Sequence, residues 1–263
     1  MTAYLAVARL AFQRQLAYRT ANLAGLLTNL FFGALRASVL IALYGARPSV
    51  AGYSLPDAVT FTALTQALMS FVAIFGAWDL INSIRSGEIA VELARPTDLF
   101  WYSAAQDAGR AIGQLLFRGA PIMLLYALAY RITLPPSAGH WAAFAVSMGL
   151  AWFLSQAWRY AVGLTAFWTR DAVGVGRFGW TVAILCAGFI MPLAYFPAWA
   201  QRLFYLTPFP GMITLPVEIY LGHLSGAALW AALGTQLIWC LALFGLARLL
   251  LAAGVRKLVI LGG

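Results

Sequence analysis

One segment of the chain concentrates charged side chains at a spacing that suits binding to another protein. Between Ile81 and Arg110 the charged residues are Arg85, Glu88, Glu92, Arg95, Asp98, Asp107 and Arg110. Glu88 and Glu92 lie four residues apart and would share one face of a short helix from Ser86 to Leu93. The segment therefore predicts ion pairing with a soluble partner, although a solvated loop whose charges balance one another would have the same composition.

Residues that could carry out catalysis or bind a metal are few. His140 and His223 have no evident carboxylate or cysteine partner at ligand spacing, and Cys186 and Cys240 show neither metal-ligand nor redox spacing. The sequence has no glycine-rich phosphate loop ending in Lys-Ser or Lys-Thr, and its only lysine is Lys257. It predicts a chain that is not an enzyme and binds no cofactor or metal. A membrane-embedded lipid-modifying enzyme is a less favoured alternative.

The composition indicates an all-α integral membrane protein. Hydrophobic residues make up 63% of the chain and charged residues 10%, with a mean hydropathy of +0.83, whereas soluble domains carry about 25% charged residues. The apolar runs lack the alternation of a transmembrane barrel. Six runs reach or approach the length needed to cross a bilayer, at about Leu23–Tyr44, Ala58–Ile81, Ala111–Tyr130, Trp141–Trp168, Phe178–Leu193 and Ala228–Leu251. We therefore predict one transmembrane domain over residues 1–263.

Basic residues set the predicted orientation of these spans. The N-terminal segment, the second-to-third and fourth-to-fifth connections and the C-terminus carry 12 of the 17 basic residues. Arg47, Arg131 and Arg202 fall on the other side. By the positive-inside rule both termini are cytoplasmic. The net charge of +9 reflects this bias and attraction to anionic membrane lipids, so nucleic-acid binding is not predicted.

Residues 1–21 have the pattern of a helix that lies along the membrane surface. At helical spacing they form an apolar sector and a basic sector, made of Leu5, Ala8, Phe12 and Leu16 and of Arg9, Arg14 and Arg19. We expect an interfacial helix at the cytoplasmic leaflet. A short cytoplasmic extension of the first span is the alternative. No compact apolar core follows a basic start, so a cleavable signal peptide is not predicted.

The outer segment at residues 192–226 is apolar and aromatic but rich in proline. Its five prolines exclude one continuous helix. Non-helical backbone at membrane depth is tolerated only where protein or a water-filled cavity covers it. Short helices that dip into the outer leaflet and form a gate are one interpretation, and an interfacial aromatic cap is the other. The candidate gate residues are Pro192, Phe196, Pro197, Pro208, Phe209 and Pro216.

Arg36 and Arg159 fall inside predicted spans, where an arginine costs roughly 2.5–3.5 kcal/mol by insertion scales. The nearest carboxylates by predicted depth are Asp79 and Glu218. One interpretation is that both arginines line a substrate path and contact an anionic or polar group; the other is that they snorkel to a membrane boundary. The candidate path residues are Arg36, Phe71, Phe75, Trp78, Trp152 and Arg159, with core packing as the alternative role of the aromatic side chains.

Several short patterns, taken in order, resemble a known family. The cytoplasmic pattern is Ser86-Gly87-Glu88-Ile89-Ala90 followed by Leu93, Arg95-Pro96 and Asp98. The later patterns are Pro192-Leu193, Phe196-Pro197, Trp199, Pro208-Phe209, Pro216, Tyr220-Leu221-Gly222 and Gly262-Gly263. Together they resemble the permease subunits of type-2 ATP-binding-cassette (ABC) exporters, and more narrowly the compact six-helix branch. The resemblance covers nearly the whole chain.

The resemblance implies a dimer of six-helix subunits in the bacterial cytoplasmic (inner) membrane, the second permease chain being identical or related. Each subunit would have an interfacial N-terminal helix, a coupling helix in the cytoplasmic loop 82–110 and a re-entrant outer segment at 192–226. A separate cytoplasmic ATPase dimer would bind ATP and Mg and drive export of a drug-like, lipid or peptide amphiphile. Its expected contacts are Arg85, Ser86, Gly87, Glu88, Ile89, Glu92, Leu93, Arg95, Pro96 and Asp98. A non-transporting scaffold that anchors an ATPase is the alternative.

Overall fold

The computed structural model describes residues 2–45, 47–73, 78–169 and 172–257, and these residues are almost entirely helical. The α-helices are α1 Thr2–Ala17, α2 Arg19–Tyr44, α3 Leu55–Val72, α4 Trp78–Ser86, α5 Ile89–Leu93, α6 Leu99–Gln114, α7 Ala120–Ala129, α8 Ala138–Leu164, α9 Ala172–Cys186, α10 Ala198–Tyr205, α11 Thr214–Leu221 and α12 Gly226–Val255. A hairpin of two short strands, β1 Ser49–Val50 and β2 Tyr53–Ser54, lies between α2 and α3. Short 3₁₀ turns occupy Thr165–Phe167, Leu193–Tyr195 and Phe209–Met212.

Within the described residues, three helical segments are long and apolar enough to cross a membrane. They are Arg19–Tyr44, Leu99–Ala129 and Gly226–Val255, and α9 is a shorter apolar helix. The all-α membrane class predicted from composition is therefore confirmed. The predicted spans at 58–81 and 141–168 coincide with α3 plus α4 and with α8, apart from residues 74–77, which lie outside the described residues. The count of six spans stays a prediction.

The third predicted span begins earlier than the expected Ala111. Helix α6 starts at Leu99 because the Asp98 carboxylate accepts a hydrogen bond of 3.1 Å from the Trp101 N–H, which caps the helix. A π-helical turn at Leu115–Gly119 joins α6 to α7, giving one segment of 31 residues. Residues 99–110 are thus helix, although the sequence placed them in a cytoplasmic loop.

The fifth predicted span extends too far. Helix α9 ends at Cys186, before the expected Leu193. Gly188 takes a φ of +76°, a left-handed backbone that ends the helix. The Ala187 carbonyl accepts a hydrogen bond of 2.8 Å from the Thr214 hydroxyl instead of from a further helical turn.

Helix α1 packs along α6 in the same direction. The Tyr4 hydroxyl accepts from the Asp98 N–H at 3.1 Å, and eleven residues further along the chain the Gln15 side chain accepts from the Gln114 amide at 2.6 Å. Between these points a Cβ added at Gly109 would overlap the Ala8 carbonyl oxygen. The glycines at 109 and 113 therefore let α1 approach α6 closely.

The core is centred on aromatic side chains where α6, α8 and α12 meet. Phe100 is fully buried, and its ring centroid lies 5.1 Å from that of Tyr160 on α8 and 4.9 Å from that of Phe244 on α12, both in edge-to-face geometry. Such pairs contribute about 0.5–1.5 kcal/mol each beyond burial of area. Because Phe100 follows Asp98 closely, the end of the charged segment is held against the core.

Replacing Gly109 with alanine should destabilise the protein by about 1–3 kcal/mol, because the added methyl group forces α1 away from α6. Thermal unfolding of the detergent-purified chain measures the effect. Gly149→Ala is the matched control, since a Cβ there meets no atom within 4 Å and should stabilise α8 by up to about 1 kcal/mol. Equal stabilisation by both substitutions would contradict the packing of α1 on α6.

Candidate functional site

The connection between α4 and α6, residues 87–98, presents a short charged surface. Gly87 takes a φ of +80° and separates α4 from α5, so the expected single helix from Ser86 to Leu93 is wrong: α5 is limited to Ile89–Leu93. The exposed residues predicted to contact an ATPase are Arg85, Ser86, Gly87, Glu88, Arg95 and Pro96, and Glu92, Leu93 and Asp98 are half-buried. Val91, which the sequence analysis missed, is 66% exposed at the centre of this surface. An apolar residue among the charged residues of this segment of the sequence could have indicated it.

Two residues of the connection are anchors. Ile89 is fully buried, which corrects its expected place on the contact surface. Asp98 forms an ion pair with Arg248 of α12, accepts from the Trp101 N–H and donates its own N–H to Tyr4 of α1. Asp98 therefore ties the connection to three helices and has little capacity left for a partner.

A buried ionic cluster lies beneath this connection. The Asp107 carboxylate on α6 is 8% exposed and accepts from Arg110 Nε at 2.8 Å and from Arg159 Nη2 at 2.7 Å. The Trp152 indole donates to the same carboxylate at 2.8 Å. Neither Asp79 nor Glu218, the carboxylates that the sequence predicts to lie nearest, pairs with Arg159. Its partner is Asp107. The spacing of Asp107 and Arg110 on a helix was the one signal in the sequence.

The same cluster satisfies the end of α3. Arg110 donates from Nη1 to the Ser70 carbonyl at 2.7 Å and from Nη2 to the Phe71 carbonyl at 3.1 Å. The Ser155 hydroxyl donates to the Val72 carbonyl at 2.5 Å. The last carbonyls of a helix have no partner within the helix, and leaving them unpaired inside a membrane protein costs several kcal/mol. The cluster thus allows the predicted second span to be interrupted.

Both arginines of the predicted spans lie towards the C-terminal ends of their helices, which run in opposite directions across the membrane in the predicted orientation. At 1.5 Å per residue, Arg159 is roughly 32 Å along α8 from Ala138, and Arg36 is roughly 26 Å along α2 from Arg19. In the predicted orientation these positions are close to the cytoplasmic and outer boundaries of a core about 30 Å thick. Arg36 donates to the Phe189 carbonyl at 3.0 Å and stacks on the Phe189 ring at 4.6 Å.

A cavity of about 300 Å³ opens beside the ionic cluster. It lies between α1, α4, α6 and α8, and its lining residues are Ala11, Arg14, Gln15, Trp78, Asp79, Leu80, Ser103, Gln106, Asp107, Arg110, Gln156, Arg159 and Tyr160. Of the predicted path residues, Trp78 and Arg159 meet here. Phe71 is buried in the core, Trp152 binds Asp107, and Phe75 lies outside the described residues. Asp107 and Arg110, which the sequence places in a charged loop, line this cavity instead, together with Gln156, which the sequence did not single out.

The outer segment is a chain of short helices with a buried tip. Its turn at Phe209–Met212 is fully covered, and buried Gln236 of α12 donates to the Gly211 carbonyl at 2.7 Å. Gln236 also accepts from the Ser147 hydroxyl at 2.8 Å. Ser147 is roughly 14 Å along α8 from its outer end, about half of the membrane core. Of the predicted gate residues, Pro192, Pro208, Phe209 and Pro216 are buried, Phe196 is half-buried and Pro197 is exposed.

A polar cluster closes the outer side. His223 Nδ1 lies 2.7 Å from the Glu218 carboxylate and Nε2 lies 3.8 Å from that of Asp57, so the prediction that His223 lacks a carboxylate partner is wrong. Tyr53 donates to Glu218, and Thr133 donates to Asp57 at 2.6 Å. The cluster joins the hairpin, α3, the α7–α8 connection and α11.

The outer cluster contains groups with shifted pKa values. The hydrogen bond and charge of Glu218, together with Asp57, raise the pKa of His223 above 6.5 despite partial burial. Burial opposes the shift at Asp57, but hydrogen bonds from Ser54 and Thr133 hold its pKa below 3.8. Burial and the neighbouring Glu218 raise the pKa of Tyr53 well above its usual value. The two neighbouring carboxylates therefore favour the protonated form of His223.

One comparison with known proteins identifies a family. The sequence matches the model of a family described as ABC-2 family transporter protein over residues 31–262. No curated protein and no solved structure matches the chain. The matched range includes the α4–α6 connection, the ionic cluster and the outer segment, and leaves out α1.

Substituting asparagine for Asp107 should destabilise the protein by about 1–3 kcal/mol, because the half-buried guanidinium groups of Arg110 and Arg159 lose their carboxylate partner. Chemical or thermal unfolding of the purified chain measures the loss. Asp79→Asn is the control: Asp79 lines the same cavity but is exposed and should change stability by less than about 0.5 kcal/mol. Similar effects of the two substitutions would show that the cluster is not a stabilising element.

Raising the pH should weaken the outer cluster. Since the pKa of His223 is raised above 6.5 in the folded protein, its contribution is complete below pH 6.5 and is lost as the pH rises through the folded value. Tm should therefore fall as the pH rises through this range. This dependence of Tm on pH should be absent in His223→Gln and retained in His140→Gln. Partial exposure keeps the effect below about 1 kcal/mol. A slope that survives in His223→Gln would contradict the assignment.

Proposed function

The chain belongs to the ABC-2 transporter family, and on this premise we propose that it is the permease subunit of an ABC exporter that moves an amphiphilic substrate out of the cytoplasm or the inner leaflet. The family is one of multi-pass membrane proteins that work with an ATPase partner. In the proposed complex ATP and Mg bind to that separate cytoplasmic ATPase. This chain supplies the passage through the membrane, and a drug-like molecule, a lipid or a peptide would each suit it.

The observation that carries this proposal is the α4–α6 connection, which is exposed on one side and anchored on the other. Glu88, Val91 and Arg95 offer charge and apolar area to a soluble partner. Ile89 and Asp98 fasten the same segment to the core and to α1, α6 and α12. Because close-packed interiors transmit displacement, movement of an ATPase at this surface would reach the membrane helices.

The proposed path runs from the inner cavity towards the outer segment. The cavity beside Arg159 would receive the polar part of the substrate. The turn at Phe209–Met212 lies deep between α8 and α12 and is held by the Gln236 amide. Motion of this turn would open the outer side in an alternating-access or lateral-entry cycle. The cavity also favours transport over a scaffold that only anchors an ATPase, because a scaffold needs no cavity.

The remaining partners follow from the surface of the chain. Helices α2 and α12 carry large exposed apolar side chains, among them Phe31 at 66%, Val39 at 61% and Trp230 at 72% exposure. Such faces suit membrane lipids and helix packing within a bilayer. We propose that a second permease chain, identical or related, covers part of them in a dimer. Placement in the cytoplasmic (inner) membrane with both termini in the cytoplasm completes the proposal.

Tagged wild-type chain purified in detergent should carry a nucleotide-hydrolysing subunit. The double variant Glu88→Arg, Glu92→Arg and the single variant Val91→Arg should each reduce the ATPase recovered by about tenfold or more, since they reverse charge or place charge at the contact surface. ATPase assay and identification of the bound chain measure the result.

Arg202→Glu is the control, because Arg202 is exposed on α10 at the predicted outer side and should leave recovery unchanged. If the α4–α6 variants retain the ATPase as well as Arg202→Glu does, the docking surface is assigned wrongly. If the wild-type chain brings down no ATPase, the exporter proposal itself fails.

A further inference from the structure

The floor of the inner cavity carries more positive than negative charge. One carboxylate, Asp107, faces two guanidinium groups, those of Arg110 and Arg159. The α3 carbonyls that Arg110 binds add only the partial negative charge of a helix C-terminus, about half an elementary charge. Arg14 and Asp79 also line the cavity and add one charge of each sign. A buried positive excess is unfavourable unless an anion compensates it.

One of these cations has capacity left for a ligand. Arg110 uses all its side-chain nitrogens, on Asp107, Ser70 and Phe71. Arg159 uses Nε and Nη2 only, and among the described residues Nη1 has no hydrogen-bond acceptor. The Arg159 side chain is 13% exposed and lines the cavity. Its remaining donors can therefore meet a group in the cavity, as guanidinium groups do with phosphate oxygens.

The position and size of the cavity restrict the class of ligand that it can bind. Arg159 is roughly 32 Å along α8 from the outer end of the helix, which is the level of inner-leaflet headgroups in the predicted orientation. Helix α1 forms one wall and carries exposed Leu10 and Leu16 near Arg14, as expected of a surface in contact with lipid. A volume of about 300 Å³ is at the lower end for small-molecule pockets. It suits a headgroup rather than a whole amphiphile.

We propose that this cavity binds the phosphate group of an amphiphile whose tails remain in the inner leaflet, with Arg159 and Arg14 as its cationic contacts. The inference deepens the proposed function, since it assigns an anionic headgroup to the substrate class, and it rests on that function for the step of transport. Binding itself does not require the ATPase. Gln156, which is buried and donates to Ser103 at 3.0 Å, forms the neutral part of the same floor.

The test measures retention of phosphatidylglycerol by the full chain in phosphatidylcholine nanodiscs, read by native mass spectrometry after release. Wild type should retain phosphatidylglycerol, and Arg159→Gln should reduce its retention by about tenfold. Arg14→Gln, at an exposed site that does not threaten folding, should reduce it several-fold. Arg36→Gln, which removes the same charge near the other boundary, is the matched control and should retain the lipid as wild type does.

Equal retention in Arg14→Gln, Arg159→Gln and Arg36→Gln would overturn the site. A second arm adds inorganic phosphate as competitor. Displacement of the lipid by phosphate alone would show that the cavity takes a free anion and would overturn the amphiphile assignment, whereas persistence of the lipid supports it. ATPase recovery from the same preparations separates the two proposals. Loss of lipid retention with normal ATPase recovery in Arg14→Gln supports the headgroup site, and normal retention in a wild-type chain that recovers no ATPase rejects only the exporter role.

Discussion

The structure depends on the way in which Asp107 holds two arginines at the inner end of α3. A helix that stops inside a membrane protein leaves its last carbonyls without partners within the helix, so donors must come from other parts of the protein. Arg110 supplies the donors for two of these carbonyls. Asp107 compensates its charge and that of Arg159. Removing the carboxylate would leave the half-buried guanidinium groups of Arg110 and Arg159 without their shared counter-charge and the interruption after α3 unsupported.

The interruption is followed by a charged segment that is still fastened to the membrane helices. Helix α4 and the α4–α6 connection lie beyond α3, and Asp98 returns the chain to α12 and α1. A force on the exposed residues of the connection is therefore shared among several helices. Had Asp98 been free and Ile89 exposed, the same segment would have been a loose loop that could bind a partner but could not move the membrane helices.

The outer half is closed by polar contacts of a different kind. Gln236 and Ser147 hold the buried turn at Phe209–Met212 by neutral hydrogen bonds, which impose direction without burying charge. Nearer the surface His223 bridges the carboxylates of Glu218 and Asp57. The inner cluster compensates permanent charges, whereas the outer one depends on a proton. The two ends of the proposed path thus differ in their sensitivity to pH.

Composition and local pattern by themselves determined the membrane class, the approximate positions of the apolar helices and the broken outer segment. These features depend on length, hydropathy and residue shape, which neighbours in the sequence express. Only the tertiary structure decided that Arg159 pairs with Asp107, 52 residues away, that Ile89 is buried, and that His223 lies between two carboxylates. Such pairings join residues far apart in the chain, and a single sequence carries no periodic signal for contacts made between different helices.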